Sequence, residues 1–246
     1  TGIVRATTQT PIIFDRAQVK QMRAGSAQYG ASGQFLREEI EERVLDRLAD
    51  VNRQFDHALI IGSSAPKSWP AKHVTYASSL HQSNKGHLVI DEETLPFRDN
   101  SFDLIISLLD LHWVNDLPGA LIQFNHALRP DGLFLGTLFS AGTLAELKES
   151  FLGAESICER GTSPHIAPFA DIRDLGALVQ RAGFAMPVAD QDTIDIRYST
   201  VFHIFDDLRK MGETNALIER CKTFSPRQVF LKAAELYTQN LSLIHI

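Results

Sequence analysis

Residues Phe102 to Phe139 read FDLIISLLDLHWVNDLPGALIQFNHALRPDGLFLGTLF. An apolar strand, Phe102 to Ser107, enters a polar and aromatic corner, and an amphipathic helix follows. Leu117, Leu121, Phe124 and Leu128 form one face of that helix, which Pro130-Asp131-Gly132 closes before a second apolar strand, Leu133 to Phe139. This order predicts a right-handed strand–helix–strand unit and hence a parallel sheet. The corner LDLHWVNDLP, Leu109 to Pro118, then sits at the carboxyl end of the first strand. Open α/β sheets bind their ligands at that end.

Working outward, Leu36, Ile40, Val44 and Leu48 recur every four residues and predict an amphipathic helix from Gln34 to about Val51. Phe55 to Ile61 reads as a buried strand, with Lys72 to Ala77 and His87 to Ile90 as shorter candidates. Gly25, Gly30 and Gly33, set among small polar residues, read as an arm or loop. Thr143 and Glu146 have the spacing of a capping box. Asp171 to Arg181 predicts a helix stopped by Gly183, with Leu175, Leu178 and Val179 inward. Ile194, Ile196 and Tyr198 alternate with polar residues and predict a half-exposed strand, which could be an antiparallel edge of the sheet. Thr200 to Leu241 reads as helical, broken near Met211-Gly212 and Ser225-Pro226. The expected organisation is an N-terminal arm (1–33), an α/β domain (34–199) and a helical extension packed on it (200–246).

With 246 residues, 44% hydrophobic and 22% charged, the chain has the composition of a globular protein. A net charge of -6 and no Lys/Arg run argue against nucleic acid as a partner. No apolar run reaches the ~20 residues that span a bilayer. The start of the chain lacks a charged-then-apolar leader, and Cys158 and Cys221 lie far apart outside any CxxC, so a cytoplasmic protein with reduced thiols is expected. His57, His73, His81 and His87 make no HxH or HxxxH pair, and no metal site is expected. Neither a GxSxG elbow nor a GxxxxGK[ST] loop occurs.

The segments DEETLPFRDNSFDLIIS, LHWVNDLP and LRPDGLFLGTLF together resemble class I S-adenosylmethionine-dependent methyltransferases. LHWVNDLPGAL, TLAEL, SPHIAPF (Ser163 to Phe169), DLGALVQRAGF (Asp174 to Phe184) and DLRKMGETN (Asp207 to Asn215) narrow the resemblance. They are similar to the methyltransferase-like assembly factors of respiratory complex I and to the malonyl-carrier methyltransferase of biotin synthesis. The resemblance, from about Phe14 to Asn215, implies a Rossmann-like, doubly wound, mostly parallel sheet of seven strands. It implies S-adenosylmethionine as cofactor across the carboxyl ends of the strands, at positions matching Gly62, Asp91, Glu92 and Leu108. The complex I factors are associated with modification of an arginine on a protein subunit, as hydroxylases, so a protein substrate or assembly partner is also implied.

One stretch departs from that pattern. Where such enzymes carry an acidic residue and GxGxG, this chain has LIIGSSAPKSWP, Leu59 to Pro70. Gly62 matches the first glycine, but Ile60 replaces the acid, Ser64 the second glycine and Pro66 the third. Proline lacks an N–H and fixes φ, so it cannot reproduce the last glycine's role. Gly62 to His73 and Ser78 to Gly86 are both short for helical crossovers, and a hairpin in this half is one expectation. No Asp or Glu stands in YASSLHQSNKG to hold ribose hydroxyls.

His112 and Trp113 are the candidate catalytic pair: His112 as general base or donor, Trp113 stacking on substrate. Asn115 could orient a substrate, and His165 could reach the cleft mouth from a proline-stiffened loop. The plainer alternatives are that Trp113 packs, that Asn115 or Asp116 caps the helix at Leu117, that His165 bonds to backbone, and that DEETLPF is a solvated turn. Two function classes stay open: an enzyme using S-adenosylmethionine in a reshaped pocket, and a non-catalytic binding or assembly protein on a methyltransferase scaffold.

Overall fold

The computed structural model describes residues 11–63, 67–78, 87–158, 163–222 and 226–240. Its centre is an all-parallel five-stranded sheet of order β3-β2-β1-β4-β5, with β1 Phe55–Ile61, β2 Ala71–Ser78, β3 Leu88–Val89, β4 Phe102–Leu108 and β5 Leu128–Thr137. Every residue of β4 is buried, because the strand lies between β1 and β5 and has helices on both faces.

On one face α2 (Phe35–Ala49) lays Val44 and Leu48 against Ala58, Ile60, Leu104, Ile106 and Leu108. On the other, α3 (Leu117–Ala127) packs Ala120 and Phe124 on Leu59, Ile61 and Ile105. Alternate strand residues thus serve opposite faces, as pleating requires. The doubly wound, Rossmann-like α/β class read from the sequence is the observed one. A further core joins α4 (Ala145–Ile157) with α6 (Val201–Met211) and α7 (Arg227–Asn240) through Leu147, Phe151, Ile204, Ala233 and Tyr237. Between them in sequence, α5 (Ile172–Arg181) is capped by Asp171, whose carboxylate accepts from the Arg173 amide.

Several expectations are corrected. The described residues form five strands, all parallel, where seven with antiparallel members were expected. Thr193 to Tyr198 belongs to no strand; just before it, Asp190 and Asp192 pair with Arg43 and Arg47 of α2. No hairpin joins β1 to β2, which run parallel from Phe55↔Ala71 to Ile61↔Ala77. About nine extended residues span about 30 Å, enough to return along a seven-residue strand without a helix. Trp69 fills the space left on that face, buried beside Val44 and Leu48. Ser64 and Pro66, and most of the link from Ser78 to Gly86, lie outside the described residues.

The supposed arm holds a helix, α1 (Arg16–Ser26), capped by Asp15 and followed by a 3-10 stretch, Ala27–Gly33. Gly25 lies inside that helix and Gly30 and Gly33 in the 3-10 stretch, so glycines among small polar residues concealed a helical pattern. Pro130-Asp131-Gly132 does not separate α3 from the next strand; β5 already starts at Leu128, with an irregular register opposite Phe102 to Leu104. The Thr143–Glu146 capping box is absent, since α4 enters through Leu144 in the left-handed region with no side-chain cap. Among the described residues no helix is long and apolar enough to cross a membrane.

Candidate functional site

The carboxyl ends of β1 and β4 are shaped by two residues in the left-handed region. Gly62 has φ 79° and Leu109 φ 52°. A leucine there is strained by roughly 1–3 kcal/mol, and the neighbouring structure must compensate. The bend at Leu109 turns Asp110 over the sheet, and the 3-10 turn Leu111–Trp113 buries His112 and Trp113 directly behind it. Asp116 then accepts from the Gly119 amide at 3.0 Å and starts α3, with Pro118 in the first turn.

Three arginines converge on this end. Arg23 of α1 reaches Asp110 with one terminal nitrogen; with the other it donates to the Leu109 carbonyl at 2.7 Å and to Glu213 at 3.3 Å. Glu213 comes from the end of α6, where Gly212, φ 73°, reverses the chain; a Cβ at Gly212 would also press on α1 at Arg23 and Ser26. The second oxygen of Glu213 accepts from Trp113 Nε1 at 2.7 Å and meets His112 Nε2 at 2.9 Å. Since a carboxylate only accepts, the His112 proton is assigned to Nε2. His112 Nδ1 is buried without a hydrogen-bond partner. Burial opposes ionisation of Glu213, but His112 and Arg23, with Arg37 behind them, outweigh it and hold its carboxyl down to about 2. Arg23 is buried too, and Asp110, Glu213 and Glu92 more than offset this, raising its affinity for the proton.

Arg37 of α2 donates to the carbonyls of Gly62 and Leu108, bridging the ends of β1 and β4. One turn further along α2, the buried carboxylate of Glu41 accepts from Ser63 Oγ at 3.0 Å and pairs with Lys67 at 3.1 Å. Side chains of α2 thus hold the turn that a glycine loop would form from backbone. A Cβ at Gly62 would collide with Asp110, the Leu108 carbonyl and Arg37.

Arg16, two turns before Arg23, covers the residues after β3. Its guanidinium pairs with Asp91 at 2.9 Å and with Glu92. Burial and nearby Asp110 push the Glu92 carboxyl up, Arg16 pulling against them. Asp91, more open, is held below the usual range by the Glu93 amide and Arg16 against its partial burial.

The sequence candidates fall into two groups. Gly62, Leu108, Asp91, Glu92, His112 and Trp113 all sit at this end of the sheet. Asn115 spends its side chain on the N-terminal segment, accepting from the Ile13 and Phe14 amides at 2.8 Å and donating to the Phe14 carbonyl at 3.1 Å. His165 is bonded to Glu155 at 2.9 Å and stacked on Phe151, in the α4–α6–α7 core. The proline-bounded loop instead sends Phe169 toward His112, with Phe139 closer at 4.6 Å between ring centres. Arg16, Arg23, Arg37, Glu41 and Glu213 went unread. Only Glu213 carried a sequence signal, its place just past the Met211-Gly212 break.

Residues 71–136 match the family model described as a methyltransferase domain. An arginine-hydroxylase, NDUFAF5, mitochondrial, of Rattus norvegicus is 38% identical over 249 residues, covering 94% of this chain and 72% of that protein. This chain belongs to the class I methyltransferase superfamily, in the branch of that arginine-hydroxylase. A malonyl-[acyl-carrier protein] O-methyltransferase of Xylella fastidiosa is 31% identical, covering 92% of this chain and 81% of its own length. A chain from the complex of the Haloferax volcanii Trm112 methyltransferase activator with a putative methyltransferase aligns over 83% of this chain, at TM-score 0.50 and 14% identity. That last likeness concerns the fold alone.

The superfamily implies S-adenosylmethionine, and the residues present do not fit it in the ancestral pose. The turn after β1 is filled by Arg37 and Asp110, its Ser63 is held by Glu41, and the acids after β3 are paired with Arg16. Instead, the branch member presents a buried lattice of guanidinium and carboxylate groups with an aromatic border. It can recognise cations and hold α1 in place.

Proposed function

We propose that this chain is a methyltransferase-like protein of the arginine-hydroxylase branch that works by binding a protein client, in the assembly role its resemblance to complex I factors implies, without gripping S-adenosylmethionine in the ancestral manner. The observation that carries this reading is Arg37 seated on the Gly62 and Leu108 carbonyls. A guanidinium occupies the turn whose amides would otherwise approach the cofactor. Support also comes from Arg16 on Asp91 and Glu92, the positions expected to meet the nucleoside. The relatives' name as arginine-hydroxylases points to a client that offers an arginine. Cytoplasmic placement is kept as part of the proposal beside relatives named mitochondrial; Cys158 is a free thiol, which suits any reducing compartment.

Isothermal calorimetry with S-adenosylmethionine and S-adenosylhomocysteine tests the reading. No saturable heat is expected at millimolar ligand. A micromolar dissociation constant for either nucleoside would overturn it and restore a methyl-transferring enzyme with a reshaped pocket.

A further inference from the structure

We propose that Asp110, Glu213 and the Leu109 carbonyl form a cradle for an arginine side chain of the protein client, and that Arg23 of this chain occupies the cradle until α1 is displaced. The proposal rests on the client-binding reading above and names what the client offers to that site. The contacts to Arg23 define the ligand's chemistry: Asp110 takes one terminal nitrogen, while Leu109 O and Glu213 share the other. A planar fork of donors satisfies that arrangement, whereas a lysine ammonium would present a single point.

The cradle stands without α1. Asp110 is set by the backbone bend at Leu109, and Glu213 is fixed from behind by Trp113 and His112. All of these belong to β4, the turn after it and the end of α6. What α1 supplies is the occupant, and it fits imperfectly. Arg23 Nε is buried without a hydrogen bond, and so is Glu92 Oε1, whose carboxyl is close enough to Arg23 and Asp110 to act on both. Arg23 Nε is thus an unmatched donor and Glu92 Oε1 an unmatched acceptor in the same buried cluster, and a differently seated guanidinium could use that acceptor.

Exchange also respects charge. Removing α1 would strand Asp110 and Glu213 at the cradle and Asp91 and Glu92 beside it; an incoming guanidinium restores the charge of the cradle itself. An eleven-residue helix has little stability of its own, so undocking releases Arg16 and Arg23 together. Half-buried Phe139 and Phe169 pack on His112, which holds Glu213, and would offer the client's chain an apolar neighbour.

The test uses the full chain and the tripeptide acetyl-Gly-Arg-Gly-amide, with lysine and citrulline counterparts. The readout is the Trp113 indole N–H signal by NMR, assigned with Trp69→Phe. In wild type the arginine peptide should shift this signal in the millimolar range. In Arg23→Ala it should bind at least about tenfold tighter, because the competing occupant is gone. Lysine and citrulline peptides should do neither, and Glu213→Gln added to Arg23→Ala should abolish the gain. Equal affinity in wild type and Arg23→Ala, or equal response to lysine, overturns the proposal. Should Arg23→Ala fail to fold, the wild-type titration decides: no arginine-selective shift by tens of millimolar overturns it. Micromolar binding of S-adenosylhomocysteine would undo the client-binding reading whatever the peptides do; silent peptides beside a silent nucleoside remove only the cradle.

Discussion

The β4–α3–β5 half of the sheet and the β1–β2–β3 half solve the same problem with different materials. In the first, a helix crosses over and its apolar face supplies the packing. In the second, β1 and β2 lie parallel across a short link, Trp69 fills the helix's place, and Arg37 and Glu41 reach from α2 to hold the turn. Parallel pairing does not need a helical crossover if the returning chain is extended and the exposed face is covered otherwise. The exchange changes the chemistry of the site, since side-chain charges now stand where backbone amides would bind a ligand.

The largest expected effect follows from taking away one charge of that new machinery. Arg23→Ala takes the closest cation from buried Asp110 and a guanidinium from Glu213, leaving Arg37 and His112 beside them, and should lower stability by about 3–5 kcal/mol in urea denaturation. A loss below about 1 kcal/mol would mean that the ionic lattice does not hold α1.

Acid should reveal the same lattice. Glu213 has a folded pKa of about 2 against an ordinary 4.5, so its contribution is complete above the ordinary value and is lost as pH falls from 4.5 toward 2. At 1.36 kcal/mol per unit, the loss is about 3 kcal/mol. Glu92, raised by burial, works in the opposite sense: its charged form is disfavoured in the fold, so stability from that group rises as pH falls. Urea midpoints should therefore drop for wild type as pH falls from 4.5 toward 2 and flatten there for Glu213→Gln, while Glu92→Gln should differ from wild type in slope only above pH 4.5, where it loses the rise. Identical acid limbs in all three would remove Glu213 from the account.

Gly62→Ala tests the crowding after β1. Its Cβ meets Asp110, Leu108 O and Arg37 at a positive φ, which should cost roughly 2–3 kcal/mol. Gly142, also at positive φ, has open space around it, so Gly142→Ala should cost only about 1 kcal/mol. Equal losses by thermal denaturation would leave backbone strain as the whole effect and sharpen nothing about the filled turn. Smallest of all, Asp116→Ala removes a helix cap in the ordinary half and should cost about 1 kcal/mol without altering the acid limb.

Legibility followed the range of the interactions. β4, α3 and α2 were readable because apolar spacing along a few turns identifies the face that a helix or strand buries. The short links in the β1–β3 half leave a hairpin as one expectation because they are weighed as failed helical crossovers, whereas β1 and β2 pair in parallel. The edge strand at Ile194 to Tyr198 was misread because alternation reports a half-exposed segment, not a bonded neighbour. At the site, His112 and Trp113 stood out by type and position. Their partner Glu213 lies about a hundred residues away, and α1, which carries Arg16 and Arg23, was hidden in what looked like a loop.

By itself the sequence determined the doubly wound α/β scaffold, the polar and aromatic corner after β4 and the loss of a glycine loop, since hydrophobic period and turn chemistry are local properties. Only the tertiary structure decided what replaces that loop. Charges from α1, α2, the turn after β4 and the end of α6 find each other across the folded chain, and in a buried setting their pairing is set by distance and geometry rather than by order in the sequence.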